Sequence, residues 1–162
     1  MDKKSSGILL YRLSNKRIEF FLIHPGGPFF IKKDLGTWSI PKGEFSETEN
    51  AFDAAIREFK EEVGVDLAGK GIELSPIKQK GGKRVFAWAM EGDLNPQKIS
   101  SNTFTLEWPP KSGKFRDFPE VDKGKWFDYD TAKQKLNPAQ VLFIEELIKK
   151  LNLSEEQSIA VK

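Results

Sequence analysis

Three glutamates near the middle of the chain have the residue type and the spacing that metal-assisted chemistry uses. Glu58, Glu61 and Glu62 stand at i, i+3 and i+4, so a helix would gather their carboxylates on one face. Like charges at this spacing repel each other, and near a helix C-terminus the helix dipole favours cations instead. Mg²⁺ or Mn²⁺, which prefer oxygen ligands, would make the cluster favourable. The spacing therefore favours a metal site, and a solvated acidic face is the alternative.

A capped amphipathic helix is predicted to carry these carboxylates. Ser46 and Glu49 have the spacing of a capping box, in which each side chain bonds the other residue's backbone N–H. Gly64 stands where a left-handed residue commonly ends a helix. The pattern predicts a helix from about Glu47 to Val63. Its apolar stripe at i, i+4, i+7 and i+11 consists of Phe52, Ile56, Phe59 and Val63.

The segment 43–65 resembles the Nudix box. Gly43 is followed after five residues by Glu49 and, after seven more, by the run Arg57-Glu58-Phe59-Lys60-Glu61-Glu62-Val63-Gly64-Val65. Every fixed position of this 23-residue signature is filled. The resemblance extends from Ser5 to about Leu151 and implies an α/β (α+β) fold, a Nudix-type α/β/α sandwich with a mixed β-sheet between helices. We expect a single domain over residues 1–151, followed by a polar tail at 152–162.

What the resemblance implies is a Mg²⁺-dependent pyrophosphohydrolase acting on a nucleoside diphosphate linked to another group, with Mn²⁺ as a substitute cation. The implied metal ligands are the carboxylates of Glu58, Glu61 and Glu62 and the backbone carbonyl of Gly43. Arg57 is expected to orient the carboxylates through ion pairs. Bound cations of this kind neutralise phosphates and activate water for in-line attack at phosphorus.

The general base is left open between the box and a later loop. Glu61 or Glu62 could take the proton of the attacking water, although a metal-bound carboxylate is a weaker base. Glu120 is the loop candidate, and Glu107 is a second one. The alternative for both loop residues is an ordinary exposed glutamate.

Cations and aromatic residues outside the box are candidates for substrate binding. Lys42 adjoins Gly43, and a basic cluster surrounds the dipeptide Gly81-Gly82. Aromatic residues in a loop can stack a nucleobase, although core packing is the commoner fate of Phe. Exposed hairpins also carry lysine for solubility alone. The predicted substrate-binding residues are Lys42, Lys80, Lys83, Arg84, Phe29 and Phe30.

The substrate is expected to be a dinucleoside polyphosphate such as diadenosine tetraphosphate. The run Trp38-Ser39-Ile40-Pro41-Lys42-Gly43-Glu44 resembles the corresponding run in Nudix hydrolases of these compounds. A sanitising nucleoside triphosphatase and an ADP-ribose pyrophosphatase are the alternatives, and RNA 5′-end hydrolysis stays open. A non-catalytic Nudix RNA-binding module would be expected to have lost one of the box carboxylates.

Strands and one further helix are predicted around this box. Gly81-Gly82 indicates a two-residue hairpin loop, and a polar loop is expected at 109–117. Pro138 is expected to open a second helix with an apolar pattern. The predicted strands are Ser6–Leu13, Ile18–His24, Glu73–Lys80, Lys83–Met90, Asn102–Trp108 and Trp126–Tyr129, with a polar turn at 14–16.

Composition excludes several other kinds of site. The 162 residues include no cysteine and a single histidine, His24, which excludes disulfides, zinc–thiolate sites and His-rich metal sites. A structural role is expected for His24. The net charge of +2 argues against duplex DNA as a partner, and no apolar run could span a membrane. We therefore expect a cytoplasmic protein that binds a small nucleotide, with its oligomeric state left open.

Overall fold

Eight strands and three α-helices occupy the residues that the computed structural model describes, 3–14 and 17–151. Short 3₁₀ turns lie at Pro96–Lys98 and Pro138–Gln140. The polar tail expected at 152–162 and residues 15 and 16 of the expected turn lie outside the described residues. The strands are β1 (Lys4–Ser14), β2 (Arg17–Pro25), β3 (Lys42–Glu44), β4 (Ile72–Lys78), β5 (Arg84–Glu91), β6 (Thr103–Glu107), β7 (Phe115–Pro119) and β8 (Val121–Asp128). The helices are α1 (Ala51–Val63), α2 (Tyr129–Lys135) and α3 (Val141–Lys150).

Six of these strands form one mixed sheet. The order is β4-β5-β1-β2-β8, with the short β3 also paired to β1. Strands β1 and β5 run parallel, and the other pairs are antiparallel. Strands β6 and β7 form a separate two-stranded hairpin.

The central strand β1 is buried on both faces, which is why it reads as a continuous apolar run. Ile8 and Leu10 belong to the core cluster that contains Phe59 of α1. Leu9, whose side chain points to the opposite face, belongs to the cluster that contains Phe143 of α3. The sheet therefore lies between helices on both sides, and the predicted α/β/α sandwich is confirmed.

Helix α1 begins at Ala51, later than predicted, because Asn50 is its N-cap. The backbone of Asn50 is extended (φ −66°, ψ 132°), and its side chain accepts hydrogen bonds from two backbone N–H groups of the first turn. Ser46 bonds a neighbouring hydroxyl instead, and Glu49 is bound by Arg57. The predicted capping box is therefore wrong.

The predicted end of α1 and the predicted hairpin are confirmed. Gly64 ends the helix with a left-handed backbone (φ 83°). The hairpin between β4 and β5 turns at Lys80–Gly82, where Gly81 and Gly82 both have positive φ. Gln79 donates its N–H to the carbonyl of Lys83 across this turn, so the loop has one residue more than expected.

The sequence pattern does not indicate three of the elements. Strand β3 lies in a segment whose glycine and proline favour a loop. Strand β7 occupies part of the polar loop predicted at 109–117, and β8 begins well before Trp126. The side chains of β7 are mostly exposed, so no buried face imposes an apolar alternation. Helix α2 is too short to show a periodic stripe.

None of the helices in the described ranges 3–14 and 17–151 combines the length and the apolar character that a membrane span needs.

Candidate active site

Arg57 joins three carboxylates along α1. Its Nε and Nη2 donate to Glu49 at 2.8 and 3.0 Å, so Glu49 folds back over the helix from the turn before it. Its Nη1 donates to Glu58 at 2.8 Å and to both oxygens of Glu61 at 3.2 Å. The hydrogen bonds to Glu49, and then those to Glu58 and Glu61, raise the pKa of Arg57 against the opposing effect of burial. Arg57 thus lies where it can orient the acidic cluster.

Strand β3 brings a glycine directly against Glu58. Gly43 pairs with Ser6 of β1, which fixes the position of its backbone. A Cβ atom on Gly43 would lie 2.0 Å from Oε2 of Glu58 and 2.1 Å from its Cδ. The Glu58 carboxylate therefore occupies a cradle that only glycine leaves open. Burial and the charge of Glu61 raise the pKa of Glu58, whereas Arg57 lowers it.

The side chain of Glu62 also contacts β3, at Lys42. Its Oε2 accepts a hydrogen bond from the backbone N–H of Lys42 at 3.0 Å. Burial raises the pKa of Glu62 to about 8, and the charges of Glu58 and Glu120 act in the same direction against the influence of Lys42. Burial and the charge of Lys83 lower the pKa of Lys42. A cation bound beside Glu62 would favour its ionised form.

The cluster fits a divalent cation in its donor chemistry. Glu58 and Glu61 share one guanidinium nitrogen, and the charge of Glu58 adds to burial in raising the pKa of Glu62. Within residues 3–14 and 17–151, no group of three or more Asp, Glu or His side chains already converges as a ligand set. Side-chain rotation is therefore needed to gather the three glutamates on one ion. Oxygen donors crowded in this way suit Mg²⁺ or Mn²⁺.

A cavity of about 240 Å³ opens beside Glu62. It lies between β3, the loop after β2 and the segment that joins β7 to β8. Four residues of the predicted site line it: Phe30, Lys42, Glu62 and Glu120. The structure thus brings Glu62 of the acidic cluster together with one aromatic and one basic candidate for substrate binding.

The floor of this cavity contains polar residues that the sequence pattern does not indicate. Gln140 is 1% exposed, and its Oε1 accepts the backbone N–H of Ile40 at 2.9 Å. Its Nε2 donates to Oε1 of Gln79 at 2.8 Å and to Oγ of Ser39 at 3.0 Å. From the sequence alone, a glutamine at the start of an apolar helix would be expected to face solvent, and no motif indicates that Gln140 is buried. Only the packing of α3 against the sheet reveals this position.

Glu120 is fixed by main-chain hydrogen bonds at the root of the β6–β7 hairpin. Its N–H donates to the carbonyl of Asn102 at 2.8 Å, and its carbonyl accepts from Gly26 at 2.9 Å. Asn102 in turn donates its N–H to the carbonyl of Glu61 at 2.9 Å. The exposed side chain of Glu120 lines the cavity beside Glu62. This geometry suits a base supplied from outside the helix.

Glu107 has a different role. Its two carboxylate oxygens accept the backbone N–H groups of Lys111 and Gly113 at 3.0 and 3.2 Å. These bonds stabilise the turn between β6 and β7, which explains a glutamate at this position without any catalytic role.

The remaining aromatic and basic candidates lie at different distances from the cavity. Phe30 is 38% exposed and lines it, whereas Phe29 is 57% exposed and meets Trp108 edge to face at 5.4 Å between ring centroids. Lys83 is partly buried, and its Nζ lies 3.7 Å from Oε1 of Glu44, next to Gly43. The structure places two others, Lys80 and Arg84, exposed on the β4–β5 hairpin.

A family model described as NUDIX domain matches residues 3–147 of this chain. Two curated relatives are the m7GpppN-mRNA hydrolase of Saccharomyces cerevisiae and the asymmetrical bis(5′-nucleosyl)-tetraphosphatase of Rattus norvegicus. The yeast protein is 27% identical over 108 residues, which are 66% of this chain and 10% of that protein. The rat protein is 28% identical over 103 residues, 56% of this chain and 66% of that protein. The chain thus matches about a tenth of the yeast relative and about two thirds of the rat relative.

Solved structures share the fold at low sequence identity. A Caenorhabditis elegans Ap4A hydrolase binary complex has a TM-score of 0.59 at 22% identity and covers 91% of this chain and 95% of its own. The NUDIX domain of Shewanella oneidensis NrtR, complexed with ADP ribose, has a TM-score of 0.64 at 16% identity. It covers 93% of this chain and 89% of its own.

Proposed function

This chain belongs to the Nudix family, and we propose that it is a Mg²⁺-dependent pyrophosphohydrolase that cleaves a phosphoanhydride bond in a nucleoside polyphosphate. The observation that carries this proposal is the acidic cluster of α1. Glu58 and Glu61 are held by Arg57, and Glu62 lies beside a cavity of about 240 Å³. A chain with only a structural role would have no reason to crowd carboxylates at a helix C-terminus.

The metal would be held by the carboxylates of Glu58, Glu61 and Glu62 and the backbone carbonyl of Gly43. When bound, such a cation neutralises phosphate oxygens and lowers the pKa of a bound water. Arg57 keeps the carboxylates of Glu58 and Glu61 on the same side of the helix.

Glu120 is the proposed general base. It is anchored by its main chain, its side chain is exposed to the cavity, and it is close enough to Glu62 to raise that residue's pKa. A carboxylate that is not needed as a metal ligand keeps its full basicity toward a water molecule. We therefore assign proton removal to Glu120 and metal binding to the helix.

The proposed substrate is a dinucleoside polyphosphate such as diadenosine tetraphosphate. The rat relative is named for activity on bis(5′-nucleosyl) tetraphosphates. Phe30 at the cavity supplies a ring for base stacking, and Lys42 and Lys83 supply positive charge next to the acidic cluster. A chain of four phosphates needs such cations besides the metal.

RNA 5′-end hydrolysis is the second candidate. It is favoured by the similarity to the yeast protein named as an m7GpppN-mRNA hydrolase. A cap and a dinucleoside polyphosphate both place a phosphoanhydride chain between two nucleosides, so the same residues would serve either substrate.

A substrate panel with Mg²⁺ tests both proposals. We expect the highest kcat/KM for a dinucleoside tetraphosphate among nucleoside triphosphates, ADP-ribose and capped or triphosphorylated RNA. Glu61→Gln and Glu62→Gln should each abolish turnover without unfolding the protein, and Glu107→Gln, outside the cavity, is the matched control. Unchanged turnover in both helix variants would overturn the assignment of activity. A capped RNA ranked first would replace the proposed substrate.

A further inference from the structure

The buried amide of Gln140 is fixed in orientation by the backbone beside it. Its Oε1 accepts the N–H of Ile40 at 2.9 Å. A backbone N–H can only donate, so the atom of Gln140 that faces it is the amide oxygen. The amide nitrogen then lies on the other side, where it donates to Oγ of Ser39 at 3.0 Å and to Gln79 at 2.8 Å. The amide of Gln140 therefore has one orientation.

This orientation determines which end of the Gln79 amide can meet a ligand. An N–H of Gln140 needs an acceptor, so the atom of Gln79 that it meets is Oε1. The main chain of Gln79 is also held, because its N–H donates to the carbonyl of Lys83 at 2.8 Å and its carbonyl accepts from Gly82 at 3.0 Å. Since the amide oxygen is bound, the hydrogens of Nε2 are what Gln79 offers to the cavity that it lines.

Asn137, which lines the same cavity, is limited in the same way. Its Oδ1 accepts the N–H of Ala139 at 3.0 Å, so Nδ2 is the atom that it offers to a ligand. The hydroxyls of Thr37 and Ser39 also line the cavity, but each gives its hydrogen to a main-chain carbonyl. The amides of Gln79 and Asn137 thus offer donors, and not acceptors, to a ligand in the cavity.

A nucleobase is the substrate group that best meets these neutral donors. Phe30 lines the cavity and supplies a ring on which a base can stack, whereas the phosphates have Lys42, Lys83 and the metal to balance their charge. Guanine presents a carbonyl oxygen at position 6, where adenine presents an amino group. An amino group in front of Nε2 of Gln79 would oppose one donor to another, so a base carbonyl fits this position and an amino group does not.

We propose that Gln79 is a specificity-determining residue that selects a nucleobase with a carbonyl oxygen, as in guanine or hypoxanthine, over adenine. Gln140 keeps the amide of Gln79 in the orientation that this selection needs. The selection rests on the proposed function in one respect, since the cavity must hold a nucleotide, but it does not require hydrolysis. Among dinucleoside tetraphosphates, we therefore expect a higher kcat/KM for the diguanosine compound than for the diadenosine compound.

Nucleoside monophosphates test this selection without turnover, because they contain no phosphoanhydride bond. We expect GMP and IMP, which share the carbonyl at position 6, to bind about tenfold more tightly than AMP, whose amino group leaves the donors of Gln79 unpaired. Calorimetry with Mg²⁺ present measures these dissociation constants even if the protein hydrolyses no polyphosphate. Equal or tighter binding of AMP would overturn the proposal, and so would the absence of saturable binding of all three. Tight binding of GMP alone would also overturn it, since IMP lacks only the 2-amino group of guanine.

Two variants of Gln79 separate base selection from a general effect on nucleotide binding. Gln79→Met removes both N–H groups at similar size, and Gln79→Glu keeps an acceptor for Gln140 but replaces the donor by a carboxylate oxygen. We expect the ratio of the AMP to the GMP dissociation constant to fall from about ten to about one or below in both variants. The charge added by Gln79→Glu acts on both nucleotides alike, so it does not enter this ratio. Gln97→Glu, at an exposed glutamine of the 3₁₀ turn Pro96–Lys98, is the matched control and should keep the wild-type ratio. An unchanged ratio in both Gln79 variants, even with weaker binding overall, would refute the assignment to Gln79.

Discussion

Gly43→Ala tests whether the position of the Glu58 carboxylate matters for activity. The added Cβ would lie 2.0 Å from Oε2 of Glu58, whereas ordinary contact begins at about 3.4 Å, so that oxygen must move by about 1.4 Å. A displacement of about 1 Å at a reacting centre can reduce the rate about 100-fold. The fold should tolerate the change at a cost of about 1–3 kcal/mol, because the carboxylate can rotate away from the added methyl group.

The assay compares kcat/KM and the Mg²⁺ concentration for half-maximal turnover in the two proteins. We expect Gly43→Ala to lose about 100-fold in kcat/KM and to need more Mg²⁺. Gly92→Ala is the matched control, since its Cβ would meet only the end of the Leu10 side chain, at 3.2 Å. Wild-type kcat/KM and Mg²⁺ dependence in a folded Gly43→Ala protein would refute the metal-binding role of Glu58 in this cradle.

Three further predictions concern the charged groups of the site. Arg57→Ala frees the carboxylates of Glu58 and Glu61, so we expect at least a tenfold fall in kcat/KM, from the loss of charge-assisted hydrogen bonds; full activity would contradict the orienting role. Glu120→Gln should lower kcat about 100-fold or more with KM nearly unchanged, as for a lost general base, whereas Glu107→Gln should leave kcat unchanged; equal effects would refute the assignment of the base. The raised pKa of Glu62, about 8, means that the folded protein holds a proton that the unfolded chain releases above about 4.5. With EDTA present, its contribution to the free energy of unfolding should therefore fall as pH rises between these values and level off above about 8. Denaturant unfolding of Glu62→Gln should lack that fall, and an identical pH profile would contradict the burial of Glu62.

The sequence predicts the elements whose pattern depends on burial. Strand β1 is buried on both faces, and the apolar stripe of α1 packs against one core cluster. Both therefore leave an apolar pattern that is visible in the sequence. Gly64 is equally visible, because a left-handed helix end strongly favours glycine. The motif likewise indicates the three glutamates, whose spacing places them on one helical face.

The start of α1 shows why other features are not visible. Both Ser46 and Asn50 are good N-cap residues, and local sequence does not choose between them. The choice depends on Glu49, which can reach Arg57 only when it folds back from a turn that precedes the helix. Eight residues apart within one helix, the two side chains would be too distant to pair.

The polar floor of the cavity and the contact between His24 and Asp122 depend on long-range packing. Gln140 bonds Ile40 and Gln79, which are far from it in sequence. Nδ1 of His24 lies 2.9 Å from Asp122 because the register of β2 and β8 shifts between His24 and Pro25, which leaves Asp122 between their partners Lys123 and Val121. Neither arrangement leaves a periodic or local pattern in the chain.

The β6–β7 hairpin is a part of this protein whose sequence can vary independently of the main sheet. Its strands pair with each other rather than with the main sheet, and its root is held by the main chain of Asn102 and Glu120. Main-chain bonds do not depend on side-chain identity, so the tip can gain, lose or exchange residues without moving the root. Substitutions at residues 104–118 should therefore leave the main-chain position of Glu120 and the acidic cluster on α1 in place.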